Sequence, residues 1–359
     1  MMLDDLLRAP QYSLTQAEKE ALLAPMLQEL TEHHRRKCPP YDRLLSIVYP
    51  EYTGARRLAD VPFLPVGIFK THRLASVPAE EVFKTVTSSG TSGQQVSQVV
   101  LDRETAQRQT MALSRIMTHV LGPERLPMLV VDSAAVLRER QRLNARAAGV
   151  VGMMNFGRQH FFALDESLAV DEAGVSAFLQ RFGGQRFLMF GFTFVVWQYF
   201  FPRCVELGFD LSQGILVHSG GWKKLEEMAV SNAEFRRRWS EKTGLTRIYN
   251  FYGMAEQVGS IYLEGEDGYL YAPNFADVIV RDPATFREQA VGEPGVIQVL
   301  SLLPSSYPGH SILTEDLGVV RGVDDSRCGR AGKYFSVLGR VPRAELRGCS
   351  DVLASQVQV

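Results

Sequence analysis

The six residues Ser88-Ser-Gly-Thr-Ser-Gly93 combine two glycines with four hydroxyl groups. Gly90 and Gly93 let backbone N–H groups come close to an anion, and Ser88, Ser89, Thr91 and Ser92 add further donors. That is the chemistry of a phosphate cradle. It is not a Walker A loop, because Gln94-Gln95 follows where that loop needs Lys and Ser or Thr. A polar hairpin turn between two strands would use the same residues. Far downstream, Cys349 stands ten residues from the C-terminus in the run Glu345-Leu-Arg-Gly-Cys-Ser-Asp351. A thiol on a chain end could swing to take over an activated group.

Three further segments carry chemistry. Tyr252-Gly-Met-Ala-Glu256 sets an aromatic ring and a carboxylate four residues apart, the ring suited to a purine face and the carboxylate to Mg²⁺. In Thr314-Glu-Asp-Leu-Gly318, Asp316 on a turn can accept from ribose hydroxyls. Leu338-Gly-Arg340 places a guanidinium suited to ribose or phosphate oxygens. Each segment has a plainer reading as a turn or a surface ion pair. The apolar run Phe187–Phe201 carries no charge and is too short for a bilayer, which takes roughly twenty apolar residues. Its Phe190 and Phe192 read either as core packing or as the wall of an apolar substrate pocket, with His218 a weaker pocket candidate.

The elements that must position these residues alternate between strand and helix. Residues 13 to 37 form a helix capped at Ser13 or Thr15, with Leu22, Leu23, Leu27 and Leu30 at helical spacing and Pro39-Pro40 as its stop. Strands at Val82–Thr87 and Val96–Leu101 flank the Ser/Gly loop, and a helix runs from Arg103 to Leu121. Further strands follow at Leu126–Val131, Phe187–Phe190, Gly214–Val217 and Thr246–Tyr249, with helices from Thr193 and over 223–242. This alternation predicts an α/β sheet with helices on its faces. From Gly268 onward, short strands and many Pro and Gly turns predict a smaller β-rich subdomain.

The 359 residues suit one large domain with an appendage, or two domains. With 39 basic and 40 acidic residues the charges nearly cancel, which argues against a nucleic-acid or anionic-membrane footprint. The basic run Arg236-Arg237-Arg238 reads as a solvated helix face. Cys38, Cys204, Cys328 and Cys349 are widely spaced with no Cys-x-x-Cys pair, as expected of free thiols in the cytoplasm. The N-terminal Met1-Met-Leu-Asp-Asp-Leu-Leu-Arg8 has acids where a signal peptide needs bases, so export is not expected.

Taken in order, Ser88–Gly93, His218-Ser-Gly-Gly-Trp-Lys-Lys224, Tyr252–Glu256, Thr314–Asp316 and Gly339-Arg340 resemble the adenylate-forming superfamily of acyl-CoA synthetases and luciferases. More narrowly, Tyr252–Ser260, Ala276–Pro283, Tyr307–Val319 and Gly339–Asp351 are similar to the acyl-protein synthetase (LuxE) family of bacterial fatty acid reductase complexes. The resemblance covers roughly residues 60 to 351 and implies an α/β ligase that joins a carboxylic acid to ATP as acyl-AMP. It places ATP phosphates on Ser88, Ser89, Gly90, Thr91, Ser92 and Gly93, and adenine at Gly220, Gly221 and Trp222. It further implies stacking on Tyr252 beside Gly253, Mg²⁺ on Glu256, and ribose on Asp316 and Arg340. Cys349 resembles the family's acyl-accepting cysteine; Arg343 and Arg347 nearby would favour its thiolate, and Cys328 is the competing thiol.

Three departures stand out. Gln94 replaces a common Lys, Ala255 replaces a common Thr, and the chain ends at Val359, nineteen residues after Arg340, where the superfamily usually continues into a mobile domain with a catalytic lysine. The expected organisation is an adenylate-forming domain over 1–338, with the β-rich subdomain at about 268–338, and a tail over 339–359. The expected function is activation of a fatty acid and its transfer to Cys349 for delivery to a reductase partner. Two alternatives are an acyl- or aryl-CoA ligase and a non-catalytic nucleotide- or acyl-binding partner of a reductase.

Overall fold

The structure is a computed structural model that describes residues 2–88, 96–142, 145–220 and 230–341. It divides into two compact units. One comprises the described residues within 1–116, 253–262 and 269–341; the other comprises those within 117–252 and 263–268.

The second unit carries five parallel strands in the order Arg247–Tyr252, Gly214–Ser219, Phe187–Phe192, Leu126–Ser133, Gly157–Leu164. Leu126–Ser133 is buried at every position, as expected of a parallel strand covered on both faces. The expected strand over Phe187–Phe190 runs to Phe192, and a helix begins at Thr193. Helix Asn232–Thr243 is capped by Ser231, whose side chain accepts from Glu234 N–H, and Gly244 in the left-handed region ends it. The expected start at 223 falls outside the described residues. Phe235 and Trp239 of this helix pack into one core with Leu216, Ile248 and Met189. The basic run divides on this helix. Arg237 and Arg238 pair with Glu234 at its surface, while Arg236 turns inward to Glu264.

The first unit contains the β-rich portion expected after Gly268. Antiparallel strands follow the order Ala276–Arg281, Pro294–Ser301, Ser311–Val323, Lys333–Arg340, Leu270–Tyr271. Helix Gln16–Lys37 starts at Thr15, whose hydroxyl accepts from Glu18 N–H while the Glu18 carboxylate accepts from Thr15 N–H. Its Leu23, Leu27, Thr31 and His34 are buried along one face. The strands expected beside the Ser/Gly loop pair as an antiparallel hairpin, Lys84–Thr87 with Gln98–Leu101. Helix Arg103–Leu121 follows.

Candidate active site

In the first unit, Ser88 closes the hairpin. Its N–H donates to Ser97 O at 3.2 Å, and its Oγ accepts from Ser97 N–H at 3.0 Å. The bond to Ser97 leaves the Ser88 hydroxyl proton available to a ligand. Ser89, Gly90, Thr91, Ser92 and Gly93 lie outside the described residues.

Glu256 sits in the tight turn Ala255–Gln257 and is 5% exposed. Among the described residues no hydrogen bond or ion pair engages its carboxylate. A nearly buried carboxylate is costly unless a cation meets it. No cluster of three metal-ligating side chains occurs among the described residues. A lone carboxylate fits Mg²⁺, which keeps waters and substrate phosphates as its other ligands. The residues present therefore fit that ion.

Asp316 and Arg340 are register partners on adjacent strands, with Arg340 Nε 3.9 Å from Asp316 Oδ1. Asp316 lies within strand Ser311–Val323 and not on the expected turn, because pairing with the neighbouring strands runs through it. Thr314 braces it there: its Oγ1 accepts from Asp316 N–H at 3.1 Å and donates to Ile297 O at 2.8 Å. Gly339, at φ +145°, supplies a backbone conformation that side-chain-bearing residues rarely adopt.

In the second unit the candidate residues gather at the C-terminal ends of the parallel strands, where ligands bind in open α/β sheets. The Phe190 and Phe192 rings meet edge to face at 6.0 Å. A Cβ built on Gly149 or on Gly220 would lie 3.3 Å from the Phe192 ring, so the ring occupies a slot between two glycines. Tyr252 ends its strand and is partly buried. Gly253 belongs to the first unit, and Gly221 and Trp222 lie outside the described residues.

His218 is not brought to Phe190. Strand register lines His218 up with Gly191 and Asn250, whereas Phe190 lines up with Val217. Successive residues of a strand face opposite ways, so His218 and Phe190 occupy opposite faces of the sheet. His218 Nδ1 meets Thr193 Oγ1 at 2.9 Å, and its ring stacks on Phe235. Burial, helped by Arg236, pushes its pKa down to about 3 and keeps it neutral.

Sequence reading missed two features here. Asp132, fully buried at its strand end, takes two bonds from Arg146, at 2.8 Å from Nε and 2.5 Å from Nη2. Glu264 accepts from Asn232, from Arg236 and from Asn250 N–H. Burial raises its carboxyl against the pull of Arg236. An acid directly after the expected strand Leu126–Val131 was the available signal for Asp132, and the strand in fact runs on to Ser133; nothing local marked Glu264.

Cys38 and Cys204 are buried, and Cys328 is partly buried with Ser326 Oγ 3.1 Å from its sulfur. Cys349 lies outside the described residues. No helix among the described residues is long and apolar enough to cross a membrane.

The fold is that of the adenylate-forming ligases. It is similar to 2-hydroxyisobutyryl-CoA ligase in the postadenylation state with 2-HIB-AMP, at a TM-score of 0.68 and 18% identity over 91% of this chain and 69% of that one. An open conformation of the same ligase gives 0.67 and 19%, over 92% and 77%. The chain belongs to the acyl-protein synthetase, LuxE, family, which matches residues 2–358. It is also 24% identical over 314 residues to the long-chain-fatty-acid–luciferin-component ligase of Vibrio harveyi, covering 82% of this chain and 77% of that protein. It is an ATP-dependent ligase that activates a carboxylic acid.

Proposed function

We propose that the acid is a fatty acid, and that the acyl group passes from AMP to Cys349. In the first step a carboxylate oxygen attacks the α-phosphorus of ATP and the bond to the β-phosphate breaks, giving acyl-AMP and pyrophosphate. In the second the Cys349 thiolate attacks the acyl carbon and the bond to AMP breaks, giving a thioester and AMP. The thioester keeps the acyl group activated for a reductase partner. The name of the Vibrio harveyi relative supports a long-chain fatty acid as substrate.

The observation that carries this reading is the Glu256 carboxylate, nearly buried with no cation beside it among the described residues. Mg²⁺ there would offset charge developing on the phosphates. Ser88 and the glycine loop after it orient those phosphates, Asp316 and Arg340 hold the ribose hydroxyls, and Tyr252 and Gly253 receive the purine. Phe190 and Phe192 line the acyl chain. Adenylation needs positioning and charge stabilisation more than a general base, and these groups supply both. His218, on the other sheet face from Phe190, supports the strand end through Thr193.

Fatty-acid-dependent exchange of labelled pyrophosphate into ATP tests the first step. The reading expects exchange with long-chain acids and its loss in Glu256→Gln. Full exchange in that variant would remove Glu256 from the site.

A further inference from the structure

The loop Pro304-Ser-Ser-Tyr-Pro-Gly-His310 touches two proposed catalytic elements with two adjacent side chains. Ser306 Oγ donates to Val100 O at 2.9 Å, on the second strand of the phosphate hairpin. Tyr307 Oη donates to Glu256 O at 2.9 Å, on the turn that carries the metal carboxylate. Both side chains are fully buried. We propose that Ser306 and Tyr307 are positioning residues that hold the phosphate hairpin and the Glu256 turn in one register. This rests on the reading of those elements given above.

The surrounding geometry leaves the turn little freedom. Gln257 Nε2 donates to Gly309 O at 2.8 Å and to Val299 O at 3.2 Å, so the residue after Glu256 is tied to the same loop. A Cβ at Gly309 would lie 2.2 Å from Tyr307 Cε2 and 2.7 Å from Glu256 O, so only glycine lets the loop approach this closely.

The loop is itself anchored. His34 Nε2 donates to Pro304 O at 3.0 Å, Ser76 N–H donates to Ser306 O at 2.8 Å, and His310 Nε2 meets Thr31 Oγ1 at 2.9 Å. Thr31 gives its own proton to Leu27 O, which makes His310 the donor. Helix Gln16–Lys37 thus backs a short rigid bracket. Two hydroxyls from consecutive residues then set the spacing between groups about 150 residues apart in sequence. Errors of an ångström in such spacing cost large factors in rate.

The test uses the full-length protein with Mn²⁺ and ATP as binding probes and pyrophosphate exchange as the kinetic readout. Tyr307→Phe removes one hydroxyl and keeps the ring. It should lower kcat for exchange about tenfold and Mn²⁺·ATP affinity about fivefold, with KM for the acid unchanged. Excess Mn²⁺ should restore part of the rate. In the Glu256→Gln background, Tyr307→Phe should weaken nucleotide affinity no further, because its effect runs through Glu256. Wild-type affinity and rate in Tyr307→Phe, or losses additive with Glu256→Gln, would overturn the proposal. A Glu256→Gln variant that binds and exchanges normally would instead sink the metal reading. Should Tyr307→Phe not fold, Ser306→Ala decides: a KM for ATP raised about fivefold supports the bracket, and an unchanged KM overturns it.

Discussion

Asp316 and Arg340 face each other across adjacent antiparallel strands at 3.9 Å, too far for a hydrogen bond and close enough to flank one ligand. Arg340 is 80% exposed, so the pair adds little to stability. Its value lies in two oppositely charged groups held opposite each other on adjacent strands. Asp316→Ala should therefore raise KM for ATP about tenfold, the worth of one charge-assisted hydrogen-bond set, while KM for the acid stays the same. Exchange kinetics with each substrate varied in turn will check this, and a shift in the acid KM alone would reassign Asp316.

The slot around Phe192 predicts acid preference. Phe192→Ala should move the exchange profile toward bulkier acids, and Gly149→Val, pressing on the same ring, should move it toward smaller ones. Profiles that keep their maximum in both variants would take Phe192 out of the acyl wall.

Asp132 predicts a stability effect. Arg146→Met leaves the fully buried carboxylate without its bidentate partner and should destabilise the protein by about 3 kcal/mol, seen as a lower urea midpoint. Asp132→Asn keeps hydrogen-bonding capacity and should cost less.

Buried imidazoles predict acid sensitivity. Burial pushes His218 and His310 down from 6.5 to about 3, with smaller contributions from Arg236 and His33 respectively. Both are neutral in the fold and protonate more readily when unfolded, so the unfolded state binds more protons below pH 6.5. Stability is therefore full above about pH 6.5 and falls toward pH 3, at about 1.4 kcal/mol per pH unit for each group. Thermal midpoints measured from pH 7.5 to 4 should drop, with a shallower slope in His218→Gln. A flat profile would contradict neutral burial.

Local chemistry was legible in the sequence where neighbours in the chain decide it. Thr15 and Glu18 mark a helix start because each caps the other's backbone, and Phe190-Gly-Phe-Thr193 reads correctly as a strand turning into a helix. The family and its ligase chemistry were legible from the order of motifs. What the sequence concealed depends on contacts between distant segments. That His218 shares a face with Gly191 and Asn250 appears only once strand register is known. Arg236 looked like part of a solvated basic run, and the approach of Glu264 and of Ile248 O draws it inward. Tyr307 carries no local mark of its bond to Glu256, 51 residues away.

Acyl transfer to Cys349 is the central claim. Labelled long-chain fatty acid and ATP should label the wild-type protein through a hydroxylamine-labile bond. Cys349→Ser should take no such label while keeping pyrophosphate exchange. Hydroxylamine-labile labelling of Cys349→Ser at the wild-type level would contradict the account and move the acceptor to another thiol.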